Sequence, residues 1–240
     1  MRKLIGVALA ATAMLAIAAG AAIADPNDSE ATLTVKATPT DAGTTKKPTN
    51  VKLGFNTKVN MPGTTVGTIE VLLPKGVKFS GKGLKKCNAE DLAASGITAC
   101  PSGSKAGPKG IANALVGAAN APLNLDVYPF VEDSNTFLFY LSQQGGGVQS
   151  VIRGEITNKG RKLTITIPLE LRQPVRGLDA TLIGLDQTFT GKVKKNYVVS
   201  STSCPKGGWK FGSRLVFSAR ADGAPVPAPE SRESKVKCKK

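Results

Sequence analysis

Between Arg161 and Leu171 the chain alternates. Leu163, Ile165, Ile167, Leu169 and Leu171 fall on one face, and Lys162, Thr164, Thr166 and Glu170 on the other. Only an extended strand repeats its side chains every two residues, so the pattern specifies a strand with one dry and one wet side. Asn158-Lys159-Gly160 just before it reads as a hairpin turn, which makes Val148–Thr157 its partner. The faces then fix the register. A loop of two or four residues sets Ile156 opposite Leu163 and Ile152 opposite Ile167, whereas a three-residue loop sets Glu155 against Leu163 and Arg153 against Ile165. Matching dry faces requires the even loop.

Similar strand-like runs recur along the chain: 32–36, 50–59, 65–73, 123–131, 135–142, 180–193, 210–219 and 234–238. They are rich in Thr and Val and are punctuated by many of the 26 glycines and 15 prolines. One stretch, Asn88 to Ala94, reads as a helix, with Asn88 as N-cap and Asp91 three residues on. The expected fold is therefore all-β, an antiparallel β-sandwich (immunoglobulin-like or jelly-roll-like) with one short helix in a disulfide loop. A single domain over 25–240 is expected, with two small sandwiches split near 119–122 as the alternative. The Pro-Ala segment from Gly223 to Ser231 becomes a loop tip within the last hairpin if Cys204 and Cys238 are bridged.

The first 24 residues form an export signal. Arg2 and Lys3 precede an uncharged run from Leu4 to Ile23, and Ala22-Ile23-Ala24 offers the small-x-small pattern for cleavage between Ala24 and Asp25. The expected location is secreted, extracellular or cell-wall associated, with no stable membrane anchor after cleavage. In that setting the four cysteines, Cys87, Cys100, Cys204 and Cys238, read as disulfides. Their spacing favours the local pairs Cys87–Cys100 and Cys204–Cys238, worth about 3 and somewhat under 4 kcal/mol in loop entropy. A zinc site would need close Cys-x-x-Cys pairs, which the spacing does not provide.

The sequence contains no histidine. Ser-His-Asp and Cys-His nucleophile systems are thereby excluded, as are His-ligated metal sites. Ser102-x-x-Lys105 and Ser203-x-x-Lys206 match a nucleophile motif that needs a helix start, yet both lie in Gly/Pro-rich stretches. The glycine-rich run 103–110 lacks the ending of a phosphate loop. A carboxylate pair for glycoside cleavage must lie roughly 5–10 Å apart. The even-loop register puts Glu155 opposite Thr164, six residues from Glu170, or about 20 Å away. Asp126 with Glu132 or Asp133 is less constrained, although Glu132 and Asp133 suit the turn before Asn135. No catalytic, cofactor or metal residue is assigned.

Two stretches carry a resemblance. The first is Leu73-Pro74-Lys75-Gly76-Val77, Lys86-Cys87-Asn88 and Cys100-Pro101 followed by Gly103-Ser104-Lys105-Ala106-Gly107. The second is Ser203-Cys204-Pro205 followed by Gly207-Gly208-Trp209, ending in Val236 and Cys238. Together they resemble a group of uncharacterised secreted proteins from actinobacteria-like, Gram-positive bacteria. The resemblance implies an extracellular β-rich domain with two local disulfides, and implies no activity.

The net charge is +15, of which Arg2 and Lys3 supply two. Lysines cluster at Lys75, Lys78, Lys82, Lys85 and Lys86, at Lys192, Lys194 and Lys195, and at Lys235, Lys237, Lys239 and Lys240. If folding joins two clusters, an acidic polymer can bind there by counterion release. Lys82, Lys85, Lys86, Lys192, Lys194 and Lys195 are the candidate polyanion-binding residues. Specific nucleic-acid recognition is not expected, because it needs aromatic platforms and the sole tryptophan, Trp209, is placed to pack on the Cys204 bridge. The function expected is that of a non-catalytic structural or interaction module. Alternatives are an electrostatic binder of acidic wall polymers or polysaccharide and, third, a histidine-independent carboxylate hydrolase. N-terminal sequencing of the exported protein is expected to begin at Asp25.

Overall fold

The computed structural model describes residues 31–239; the expected export signal with its expected Ala24–Asp25 cleavage point, and Lys240, lie outside the described residues. The first strands are β1 (Ala31–Thr38), β2 (Thr49–Asn50), β3 (Lys52–Val59), β4 (Val66–Leu72) and β5 (Val77–Phe79). Helix α1 (Ala89–Ser95) follows. Then come β6 (Gly110–Val116), β7 (Ala121–Val131), β8 (Thr136–Gln143), β9 (Gln149–Thr157) and β10 (Lys162–Thr166). A short helix α2 (Leu169–Arg172) leads to β11 (Ala180–Phe189), β12 (Lys192–Val193), β13 (Asn196–Tyr197) and β14 (Val199–Ser201). The chain ends with β15 (Trp209–Phe217) and β16 (Glu230–Val236).

Eleven strands form one antiparallel sheet in the order β1-β3-β11-β6-β7-β8-β9-β10-β4-β15-β16, which curls until its two edges meet. The opposing layers of the sandwich are thus opposite walls of one nearly closed, barrel-like sheet. The chain near 119–122 is the tip of the β6–β7 hairpin, where Val116 pairs with Ala121. Stepping through an odd number of antiparallel strands returns the last one parallel to the first, so the seam cannot be an antiparallel ladder. It is held by other means. Val35 N donates to Ser234 Oγ at 3.1 Å and Arg232 Nε donates to the Ala31 carbonyl at 2.7 Å. Farther along, Asp41 and Lys239 form a parallel bridge, with Ala42 N donating to the Lys239 carbonyl at 2.9 Å.

The hairpin register is the one that the facing apolar sides require. Leu163 pairs with Ile156 and Thr164 with Glu155 across a four-residue loop, in which Asn158, Lys159 and Gly160 all have positive φ. The strand is shorter than the alternation predicts. It stops at Thr166, and Leu169–Arg172 turn into α2. Pro168 explains the break, since it has no N–H to give to a ladder and its fixed φ suits a helix entry. Ile152 accordingly has no ladder partner at Ile167. The pattern also missed β6, whose inward face is mostly small (Gly110, Ala112 and Ala114 before Val116), and the short strands β5 and β14. The segment after Gly223 does form the connection of the β15–β16 hairpin.

Aromatic rings fill one end of the interior. Phe189 lies against Phe79, Phe137, Phe139 and Phe55, with ring centroids 5.1–6.3 Å apart. Trp209 is fully buried beside Phe211 and donates Nε1–H to the Ser203 carbonyl at 2.9 Å. The disulfides join Cys87 to Cys100 and Cys204 to Cys238. The first encloses α1, whose N-cap Asn88 accepts from Glu90 N at 2.7 Å and Asp91 N at 3.1 Å. Leu92 of α1 is buried with Phe130, Leu138 and Tyr140 on the outer face of β7 and β8. Those two strands are therefore covered on both sides, which accounts for their continuous apolar runs.

Gly154 of β9 sits where facing side chains leave no room. A Cβ there would lie 2.7 Å from Phe139 and 2.9 Å from Leu163. Gly154→Ala is expected to lower stability by about 1–3 kcal/mol through overpacking. Urea unfolding checks this as a lower midpoint with an unchanged slope.

Candidate functional site

The loop after β5 follows a three-residue rhythm set by its anchors. Gly81, Leu84 and Cys87 are buried, whereas Lys82, Lys85 and Lys86 between them are exposed. Gly81 N donates to the Ser134 carbonyl at 3.0 Å, Leu84 N closes a turn onto Gly81 at 3.2 Å, and Cys87 N reaches the Val131 carbonyl at 2.8 Å. Ser80 Oγ accepts from Lys82 N at 3.1 Å. With the backbone pinned this way, the three ammonium groups can only project outward.

The second cluster is a hairpin. Lys192 pairs with Tyr197 and Val193 with Asn196, leaving Lys194 and Lys195 at the tip. Lys194 takes the left-handed backbone conformation, with φ 54°, that a tight turn of this kind demands. Lys192, Lys194 and Lys195 are all exposed. Lys192 Nζ lies over the Tyr197 ring, 5.8 Å from its centroid, a cation–π contact that keeps the ammonium on the surface.

These two clusters, separated by over a hundred residues in the chain, meet in the fold. Asn196 Nδ2 donates to the Gly83 carbonyl at 3.1 Å. Gly83 has φ +75°, and a Cβ there would overlap the Asn196 amide, so the close approach depends on glycine. The junction brings the loop that carries Lys82, Lys85 and Lys86 into contact with the hairpin that carries Lys192, Lys194 and Lys195. Among the described residues none of the six has an ion-pair partner.

One further cation joins them that the charge runs did not single out. Gly191 N donates to the Ala106 carbonyl at 3.1 Å, which sets exposed Lys105 next to the hairpin. Lys105 stands outside the lysine runs, and its backbone is also held by a β-bridge with Phe130. Lys235 lies on β16, paired with Lys210 of β15, and Lys237 and Lys239 follow just beyond that strand.

The candidates for acid–base chemistry are occupied elsewhere. Ser102–Ser104 form a single 3-10 turn in which Ser104 Oγ–H donates to the Pro101 carbonyl, and the Ser203 carbonyl serves the Trp209 indole. Neither serine begins an α-helix that would return its lysine. Glu155 faces Thr164 in the β9–β10 ladder, and Glu170 lies in α2. Glu132 holds Arg153 through two nitrogens at 2.7–2.8 Å. Asp133 accepts from Asn135 N at 2.7 Å and Thr136 Oγ1 at 3.2 Å, so it does build the turn.

Asp126 accepts from Lys109 Nζ at 2.9 Å, Gln144 Nε2 at 2.8 Å and Tyr128 Oη at 3.2 Å. The Lys109 hydrogen bond, followed by that from Gln144, holds its carboxyl below the ordinary aspartate range. A general acid needs the opposite shift.

Comparison with known proteins gives no match to a family model, a curated protein or a solved structure.

Because its folded-state pKa is lowered, Asp126 adds stability that is present above the unfolded value and lost as pH falls through the folded value. Carbon-detected NMR titration is expected to give Asp126 a midpoint below that of an unperturbed aspartate. Lys109→Met is expected to move that midpoint upward.

Proposed function

We propose that this chain is an exported, non-catalytic binding module that holds acidic cell-wall polymer or acidic polysaccharide on its basic face. The observation that supports this reading is the Gly83–Asn196 hydrogen bond, which brings the two lysine-bearing segments into contact, with no ion-pair partner for the six lysines among the described residues. Ammonium groups side by side repel, and a polyanion relieves that repulsion while releasing its own condensed counterions. The binding is electrostatic rather than base- or ring-specific, since Trp209 is buried and Tyr197 is engaged by Lys192. The two disulfides fit an oxidising, extracellular setting. No described helix is long and apolar enough to cross a membrane.

The test is retention of the mature protein on purified anionic wall polymer across a salt series. With about four phosphates engaged, affinity is expected to fall on the order of tens of fold between 50 and 200 mM salt. Reversing Lys82, Lys85, Lys192 and Lys194 to Glu is expected to abolish retention. Reversing Lys36 and Lys58, exposed on the outer face of β1 and β3, is expected to change it little. Retention indifferent to salt, or equally reduced by both sets, rejects the reading.

A further inference from the structure

Along β11, from Ala180 to Phe189, the interior of the sheet is not filled. A cavity of about 120 Å³ lies within the curve of eight consecutive strands, β3-β11-β6-β7-β8-β9-β10-β4. That is of the same order as the roughly 150 Å³ engineered apolar cavity that stays dry and admits benzene. Its wall is apolar, with Val71, Ala112, Leu125, Leu163 and Ile165 among the lining side chains, and small Ala112 and Ala114 leave much of the space. Natural cores rarely keep a void of this size, because each lining atom forfeits contacts.

Only two lining side chains are polar, and both are incompletely used. Gln187 is buried and donates Nε2–H to the carbonyls of Pro108 (3.2 Å) and Thr188 (2.9 Å), while its Oε1 has no donor among the described residues. Arg172 donates Nε–H to the Ile167 carbonyl at 3.1 Å. Among the described residues its terminal guanidinium nitrogens have neither a hydrogen bond nor an ion pair.

The cover over the Arg172 end is unusual in composition. Ile167 and Leu171 of this segment turn into the cavity. Leu169 and Val175 face solvent at 55% exposure each, and Leu178 at 44%. Three of the seven large hydrophobic side chains exposed among the described residues thus lie within ten residues, on the same segment as the lining residues Leu171 and Arg172. The cover is tied down at both ends: Ile167 N donates to the Gly67 carbonyl at 2.8 Å, and the buried Asp179 carboxylate accepts from Gln173 Nε2 at 3.1 Å and Ala221 N at 2.9 Å and faces Arg220.

We propose that the interior of the sheet binds a short- or medium-chain aliphatic carboxylate, its chain in the cavity and its carboxylate on Arg172 beneath the segment 168–178. A dry wall rewards each methylene removed from water, and a free guanidinium at the mouth supplies a charge-assisted, two-point contact for a carboxylate. The exposed apolar fringe gives an amphipathic ligand a first resting place. This site does not rest on the lysine face and survives its loss.

Calorimetric titration of the mature, disulfide-intact protein with butanoate, hexanoate and octanoate tests the proposal. Affinity is expected to tighten about fourfold per added methylene up to the chain that fills the cavity. Arg172→Gln is expected to weaken octanoate about tenfold and leave 1-octanol unchanged. Nuclear Overhauser contacts from the octanoate methyl to Leu125, Leu163 or Ile165 are expected in the wild-type protein. This readout does not depend on whether a variant folds. Absence of octanoate binding, contacts only to Leu169, Val175 and Leu178, or equal loss of octanoate and octanol in Arg172→Gln overturns it.

Discussion

The seam between β1 and β16 is the constraint on which the rest of this structure depends. Eleven antiparallel strands bring their outer two together in parallel, and side chains complete the join: Ser234 to the Val35 amide, Arg232 to the Ala31 carbonyl. An open sheet of this width would present two unpaired edges and an uncovered interior face. Closing it buries Val35 and Ala37 on one side of the seam with Phe211 and Leu215 on the other in a common core. The Cys204–Cys238 bridge then fixes the end of β16, so the last strand is covalently held where its ladder stops. Arg232 contributes twice, since it also pairs with Glu230 on its own strand.

Closure dictates what each face can do. Inward residues must share a limited volume, which is why Gly154 faces Phe139 and why rings gather around Phe189. Outward residues are free to be polar, and Glu70 shows the consequence: it lies opposite both Thr164 and Arg214 and reaches Lys162 Nζ at 2.6 Å. The pair is half-buried at the sheet surface, where ion pairs in reach of solvent are screened and add little. They decorate a surface that the interior stabilises. Strands β7 and β8 are the exception, because α1 and the Cys87–Cys100 loop cover their outer face.

Local physics made some of this visible in the sequence. The β9–β10 register followed from matching dry faces, and Asn88 marked the helix because its side chain can satisfy the first free amides. Pro168 shows the limit: a period-two pattern ran through it unbroken, yet one missing N–H ended the strand at Thr166. The alanines of β6 carry too little hydrophobic signal for periodicity to register, although the strand lies between β11 and β7. For the candidate site, the six lysines were legible as two runs. Their adjacency was not, because it rests on one hydrogen bond between Asn196 and Gly83. Lys105 stood out only as part of a Ser-x-x-Lys match and not as a member of a lysine run, since its place beside the hairpin comes from neighbours in space. The cavity was equally invisible, as a void is a property of packing and not of any residue.

Strand β11 links the two ends of the molecule. Phe189 closes its far end with a cluster of rings, and three residues later the chain enters the lysine hairpin at Lys192. Ala180 opens its near end beneath the cover that carries Arg172. The aromatic cluster separates these regions, so a charge-dominated surface and an apolar interior can coexist without either desolvating the other. A lysine face needs water and counterions around it, whereas a dry cavity needs their exclusion. Rings packed 5.1–6.3 Å apart around Phe189 form the barrier between those two requirements.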